Sequence, residues 1–170
     1  MGRRPWLGLS CACAVTFGCA GLGGCGFTPL YASRGVSTGL STIEVVAPQG
    51  RVGYLLREDL DDALGRDKAA APAWRLEMAV LQTRDARGLQ RNDVAERHEL
   101  GVTVKYTLTR ISSGQAVHSG QVNTEVSYDA ADQPYAGIAA RQDSQQRAAA
   151  DAARKIEIDL AVWMAHGAGG

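Results

Sequence analysis

Three segments of the chain alternate between apolar and polar residues with a period of two, and this pattern constrains the fold more than any other feature. The segments are residues 74–80, 100–108 and 121–128, and apolar side chains recur at their even positions. A strand with one apolar and one polar face fits an antiparallel sheet that is covered on one side only. The turn sequence 112–114, Ser-Ser-Gly, predicts a hairpin between the last two segments, whereas the link 83–99 is longer and charged.

Two other segments predict helices. Residues 51–64 carry apolar side chains at helical spacing and are followed by Gly65, a residue typical of a helix C-cap. Residues 132–164 are rich in alanine, and their apolar side chains form one stripe. A short strand over 42–47 precedes the first of these helices.

Together these elements predict one α+β domain over residues 42–165, followed by a tail over 166–170. The predicted order is β-α-β-β-β-α. An antiparallel-type sheet of about four strands would carry two helices packed on one face.

The first 24 residues have the layout of a secretory signal. Residues 1–4 include two arginines, residues 6–22 carry no charge, and residues 22–25 read Leu-Gly-Gly-Cys. This ending is similar to a lipobox, which predicts cleavage between Gly24 and Cys25. Cys25 would then carry a diacylglycerol and an N-acyl chain, and 25–41 would form a tether to the domain. The alternatives are a plain secretory signal or a small-residue core helix.

The cysteine count excludes several kinds of chemistry from the mature chain. Three cysteines would leave with the signal, and the fourth, Cys25, would be acylated. The three are Cys11, Cys13 and Cys19. No disulfide, thiolate metal site or cysteine nucleophile is then possible. Loss of two arginines leaves 16 basic and 18 acidic residues, a formal charge of −2 that gives no reason to expect nucleic acid as a partner.

No catalytic constellation stands out, so the sequence predicts a protein that is not an enzyme and has no metal or cofactor. The histidines His98, His118 and His166 are scattered, and we expect the first two to be solvated on polar strand faces. The chain has no nucleophile-elbow, phosphate-loop or zinc-protease motif.

Two features suit binding instead. The charged segment 84–93 offers guanidinium groups that can pair with phosphates, and Arg87, Arg91 and Lys105 are candidate contacts with an anionic ligand on the basis of local charge. The alternative is a soluble hairpin loop balanced by its own aspartates. The polar face of the predicted strands is either solvated surface or a face that packs against a polar wall, such as the lumen of a β-barrel.

The residues that follow the lipobox, Cys25-Gly26-Phe27-Thr28-Pro29-Leu30-Tyr31, resemble the mature start of the lipopolysaccharide-assembly lipoproteins (LptE) of alphaproteobacteria. The resemblance implies an outer-membrane lipoprotein that plugs the β-barrel lipopolysaccharide translocon (LptD) and assists insertion of lipopolysaccharide into the outer leaflet. It leaves direct binding of lipopolysaccharide open. Gly26, in place of the aspartate that retains lipoproteins at the inner membrane, favours the outer membrane. The alternative is a periplasmic accessory lipoprotein of an ABC-type lipid transporter.

Overall fold

The computed structural model describes residues 34–87, 96–130 and 134–167. Their elements, in chain order, are α1 (Arg34–Ser41), β1 (Ile43–Val46), α2 (Arg51–Ala63), β2 (Trp74–Arg87), β3 (Glu96–Arg110), β4 (Gln115–Ala130) and α3 (Pro134–Ala165). The predicted α+β class and the order β-α-β-β-β-α are confirmed, with one short helix added at the front. The four strands form one sheet in the order β1-β2-β3-β4.

The sheet is mixed, whereas the sequence predicted an antiparallel type. β1 pairs with β2 in parallel, from Ile43 opposite Trp74 to Val46 opposite Glu77, and the other two pairings are antiparallel. The parallel edge arises because α2 connects β1 to β2 as a crossover, and such a connection returns the chain in its starting direction.

The long strands extend beyond their predicted limits. β2 and β3 stay paired as far as Arg87 opposite Arg97, so much of the predicted link 83–99 is sheet. β4 begins six residues before its predicted start, and a register shift next to Leu108 interrupts its pairing with β3. A bulge of this kind adds a residue to one strand, which breaks the period-two pattern that sequence analysis uses.

Helix α1 lies within residues 25–41, which the sequence analysis assigned to a tether. Val36 and Leu40 lie one helical turn apart and are buried, and Gly39 approaches α3 closely: an added Cβ would lie 2.7 Å from the sulfur of Met164. The glycine and serine content of this segment suggested a tether, but its apolar pair joins the core. The folded unit therefore begins at least eight residues earlier than predicted.

Both long helices cover the face that holds the even residues of β2 and β3. α3 lies over β3 and β4, and α2 packs against β1 and α3. α3 has 32 residues and spans about 48 Å, whereas α2 has 13 and spans about 20 Å. We call the end of the sheet that holds Ile43 and Trp74 the proximal end, and the end that holds Arg87 and the start of α3 the distal end. Among the described elements, α3 alone covers the sheet near the distal end.

Small residues and side-chain hydrogen bonds, those of Asp159 among them, hold α3 against the sheet. Five alanines of the helix are buried, which allows a close approach of helix and strands. They are Ala148, Ala149, Ala152, Ala153 and Ala161. Asp159 Oδ2 accepts a hydrogen bond from the Tyr106 hydroxyl at 2.6 Å and lies 2.5 Å from His118 Nε2. The partly buried Asp159 thus joins α3 to β3 and β4 at once.

Aromatic rings continue this junction toward the proximal end. The His118 ring stacks on Trp163 with centroids 5.5 Å apart, and Trp163 meets Trp74 edge-on at 5.6 Å. The Arg110 guanidinium lies over the Trp74 ring, 5.0 Å from its centroid. The expectation that His118 is solvated on a polar face is therefore wrong, because the ring is enclosed by α3. His98 likewise packs on Tyr128, with ring centroids 5.4 Å apart.

We predict that Asp159→Asn destabilises the fold by about 1–2 kcal/mol at neutral pH, because charge-assisted hydrogen bonds are lost and the carboxylate's partial exposure limits their contribution. Burial raises the pKa of Asp159, but the hydrogen bonds from His118 and Tyr106 outweigh it, so this pKa lies below its usual value. A depressed folded-state pKa gives stability that is present above the unfolded value, about 3.9, and is lost as pH falls.

Urea unfolding at several pH values between neutral and strongly acidic tests this prediction. The difference between the wild type and the variant should shrink as Asp159 is protonated. Asp143→Asn is the matched control, since its exposed pair with Arg147 contributes little. A difference that is constant with pH would show that the Asp159 carboxylate does not carry the effect.

Candidate functional site

A groove opens between α3 and the distal end of the sheet, where α2 no longer covers the strands. Three residues of β2, one each of β3 and β4, and two of α3 line it. These are Gln82, Thr83, Arg84, Leu100, Tyr128, Arg141 and Gln145. We call this the distal groove, and its volume is about 270 Å³. Leu100, Tyr128 and Gln145 are buried, whereas Arg84 and Arg141 are exposed at its opening.

The strand pattern and the helix repeat together place these side chains. Arg84 lies opposite Leu100 across the β2–β3 ladder, so both belong to the face that the helices cover. Arg141 and Gln145 lie one turn apart on α3, on the side that faces the strands. Their joint position depends on α3 extending past the region that α2 covers.

The distal groove is cationic on its own lining. Its two charged side chains, Arg84 and Arg141, are both guanidinium groups, and the seven lining residues include no carboxylate. A guanidinium pairs in a bidentate manner with a phosphate or a carboxylate. Because the lining also offers no nucleophile next to a base, it suits binding of an anionic group and not catalysis.

Apolar side chains lie beside this cationic opening. Ile138 is 56% exposed and Tyr135 is 87% exposed, in the first turns of α3. Ile138 and Gln145 lie seven residues apart and share a stripe that continues into the buried Ala149 and Ile156. The stripe is exposed at its start because no described element covers it there. A ligand with both phosphate and acyl groups would find partners for both at this end.

The other face of the sheet, which we call the open face, is polar and carries both signs of charge. Glu44 and Arg75 pair across β1 and β2 at 3.0 Å, and Arg97 pairs with Asp129 across β3 and β4 at 3.2 Å. Threonines of β3 and short polar residues of β4 fill the middle. They are Thr103, Thr107, Thr109, Ser119, Gln121, Asn123 and Ser127. This confirms the face assignment made from the period-two pattern.

Of the three residues that the sequence proposed as anion contacts, only Lys105 has a described side chain. Arg91, Gly24 and Cys25 lie outside the described residues, and for Arg87 only the backbone position is described, at the end of β2. Lys105 is exposed on the open face, opposite Ala79. Lys105 lies eight residues along β3 from Arg97, the residue opposite Arg87, which is a distance of about 26 Å. It is also on the other face of the sheet from the distal groove. Arg87, Arg91 and Lys105 remain predictions.

The described residues contain no group of three or more histidine, cysteine or acidic side chains arranged to hold a metal ion. Among their helices, none has the length and apolarity that crossing a membrane requires.

The family model for lipopolysaccharide assembly, LptE, matches residues 40–160, which include most of the described fold. The chain belongs to the LptE family. The resemblance carried by residues 25–31 is thereby confirmed. The match spans the sheet, α2 and most of α3, including every residue that lines the distal groove.

Solved structures agree with this membership. A protein from Caulobacter crescentus CB15, described as a lipoprotein, is 52% identical, with a TM-score of 0.69 over 78% of this chain and 96% of its own. The rare lipoprotein B of Shewanella oneidensis is 16% identical, with a TM-score of 0.54 over 73% of this chain and 95% of its own. A minor lipoprotein of Acinetobacter baumannii is 14% identical, with a TM-score of 0.51 over 71% and 88%. At such identities the last two show the fold alone. No curated protein matches the chain.

Membership in the LptE family assigns the chain a role in lipopolysaccharide assembly at the outer membrane. The LptE family is a non-catalytic family of lipopolysaccharide-assembly lipoproteins.

Proposed function

We propose that this protein is an outer-membrane lipoprotein that plugs the LptD β-barrel and helps lipopolysaccharide reach the outer leaflet by binding it in the distal groove. The observation that carries the proposal is the separation of two ends. Helix α1, the first described element after Cys25, leads into β1 at the proximal end, whereas Arg84 and Arg141 lie near the distal end.

The dimensions of the chain support this arrangement. Eight residues separate Cys25 from Arg34, which limits the reach of the anchor to about 30 Å. β2 has 14 residues and extends about 46 Å from the proximal to the distal end. A domain anchored at one end therefore extends its cationic groove away from the anchor, along the axis of a barrel that encloses it.

The open face supports insertion into a barrel. The lumen of a large outer-membrane barrel is polar, and the open face offers threonines, amides and paired charges along three strands. Such a face can pack against a polar wall through hydrogen bonds, provided that the wall offers counter-charges to side chains such as Lys105.

The distal groove supports direct binding of lipopolysaccharide. Lipid A carries phosphates and acyl chains, and the guanidinium groups of Arg84 and Arg141 match the phosphates. Ile138 and Tyr135 supply apolar surface for the start of an acyl chain. Lys105, on the other face, cannot contact the same phosphate.

Cys25→Ala should abolish the membrane anchor of this protein. Each buried acyl methylene contributes about 0.8 kcal/mol, so loss of the acyl chains releases the domain from the membrane. We expect the variant to lose radiolabelled palmitate and to move to the soluble fraction of lysed cells. Cys19→Ala, within the predicted signal, is the matched control and should keep both label and membrane fraction. Radiolabelled palmitate on the Cys25→Ala protein would show that another residue carries the lipid.

The mature chain, co-expressed with its cognate barrel, should purify as a stable detergent complex. The double variant Thr103→Arg/Asn123→Glu adds bulk to the open face, while its new charges face each other across β3 and β4 and spare the fold. We expect it to lower the yield of complex about tenfold, the factor that a clash of roughly 1.4 kcal/mol produces.

Lys68→Ala, in an exposed loop, is the control for that experiment and should not change the yield. Recovery with an inner-membrane transporter and not with the barrel would overturn the plug and favour the accessory lipoprotein of an ABC-type lipid transporter.

Arg84→Ala/Arg141→Ala should weaken binding of lipopolysaccharide about 100-fold or more, because charge-assisted hydrogen bonds contribute roughly 1.5–3 kcal/mol each and both guanidinium groups are lost. Binding of fluorescent lipopolysaccharide at fixed salt measures the effect. Arg147→Ala, an exposed arginine of α3 paired with Asp143, is the matched control. A loss with Lys105→Ala and none with the double variant would move the site to the open face.

A further inference from the structure

The outer edge of β2 is open over its last ten residues. β1 pairs with β2 only as far as Val46 opposite Glu77, whereas β3 pairs with β2 up to Arg87. Within the described part of the chain, residues 78–87 therefore have no strand on their outer side. We call this the β2 edge. It is about 33 Å long at 3.3 Å per residue, and it presents alternating N–H and C=O groups to an extended backbone.

The opposite edge of the sheet is protected. Lys155 of α3 donates a hydrogen bond to the backbone carbonyl of Asn123 in β4, at 2.8 Å. A register shift next to Leu108 also distorts the β4 pairing. Lysines and bulges are the devices by which soluble proteins keep edge strands from pairing with other chains.

The β2 edge carries no such protection. Residues 78–87 contain no proline, glycine or lysine, and the pairing with β3 is regular along them. Leu81 is 63% exposed beside the edge, on the open face. A sheet that protects one edge and leaves the other regular, long and partly apolar is suited to receive a strand on the unprotected edge.

A second copy of this chain is a poor occupant of the edge. Antiparallel pairing about a two-fold axis keeps each residue opposite one from its own face. The two registers that pair the most residues place Arg84 opposite Val80, or Asp85 opposite Leu81. Neither brings opposite charges together, because Arg84 and Asp85 lie on different faces.

We propose that an extended segment of the barrel partner adds to the sheet along the β2 edge; the identity of this partner rests on the proposed function. The segment lies outside the closed barrel wall, because wall strands already have both edges paired. The backbone of this segment forms hydrogen bonds with the N–H and C=O groups of the β2 edge. Its side chains are apolar opposite Val80 and Leu81 and acidic opposite Arg84.

Hydrogen exchange of the mature chain, alone and in the purified barrel complex, tests this proposal. In the complex, about half of the amides of 78–87 should exchange at least tenfold more slowly, since every second amide of a strand points to one side. The outer amides of β4 should not change. A complex in which 78–87 exchanges as in the free chain overturns strand addition and leaves the plug standing. Failure to obtain a complex overturns both.

Leu81→Lys supplies an independent test, because a lysine beside an edge disfavours pairing. We expect it to remove the protection of 78–87 in the complex, with the fold verified by circular dichroism. Gln146→Lys is the matched control: it is an exposed residue of α3 that belongs to neither the open face nor the β2 edge. The proposal is overturned if residues 78–87 still exchange slowly in the complex of the Leu81→Lys variant. It is also overturned if these residues exchange slowly in the chain without the barrel and that chain has the mass of a dimer.

Discussion

The early end of β1 is the constraint on which the working surfaces of this domain depend. The strand has four residues, and Pro48 and Gly50 follow it, with Gly50 at a positive φ of 90°. A proline cannot donate to a ladder, and glycine accepts this backbone conformation without strain. Gly53 then allows α2 to begin against the carbonyl of Pro48, which a Cβ at this position would contact. The chain therefore turns back after covering less than half of β2.

Two consequences follow from this short crossover. Because α2 is short, α3 is the one described element that covers the distal end of the sheet, and the distal groove opens beside it. Because β1 is short, no described strand pairs with the outer side of residues 78–87. The groove and the edge thus lie next to each other, and both follow from one local feature of the sequence. The hydrogen bonds of Asp159 keep α3 over the strands away from the groove.

The period-two pattern was sufficient to predict the sheet, but it failed where polar residues occupy both faces. Beyond Leu81 the even residues of β2 are Gln82, Arg84 and Ala86, so the alternation weakens although the ladder continues. The assignment of even residues to the covered face still held. His98 and His118 are even residues and lie on that face, against the expectation that they are solvated. A strict use of this rule would have predicted their position. The parallel pairing of β1 could have been inferred from the crossover helix alone.

The candidate site was harder to predict, because it combines residues that only the tertiary structure brings together. Arg84 belonged to the charged segment that the sequence singled out, yet Arg141 was unremarkable within an alanine-rich helix. These two arginines line one groove because α3 is longer than α2, and no local sequence pattern predicts that arrangement. Lys105 was grouped with Arg87 by charge, although its odd position already assigned it to the open face.

Under the two proposals, Arg84 connects the groove with the edge. Its backbone lies within the β2 edge, and its side chain lines the distal groove. An acidic residue of an added strand and a phosphate of lipopolysaccharide would therefore both be drawn to one guanidinium. Two ligands that share one cation weaken each other's binding, and the effect is reciprocal by thermodynamic linkage. Docking of the partner segment would thus favour release of the lipid at the distal end, where Arg141 alone would then hold a phosphate. Such coupling requires no movement of the fold, because the groove and the edge meet on the same strand.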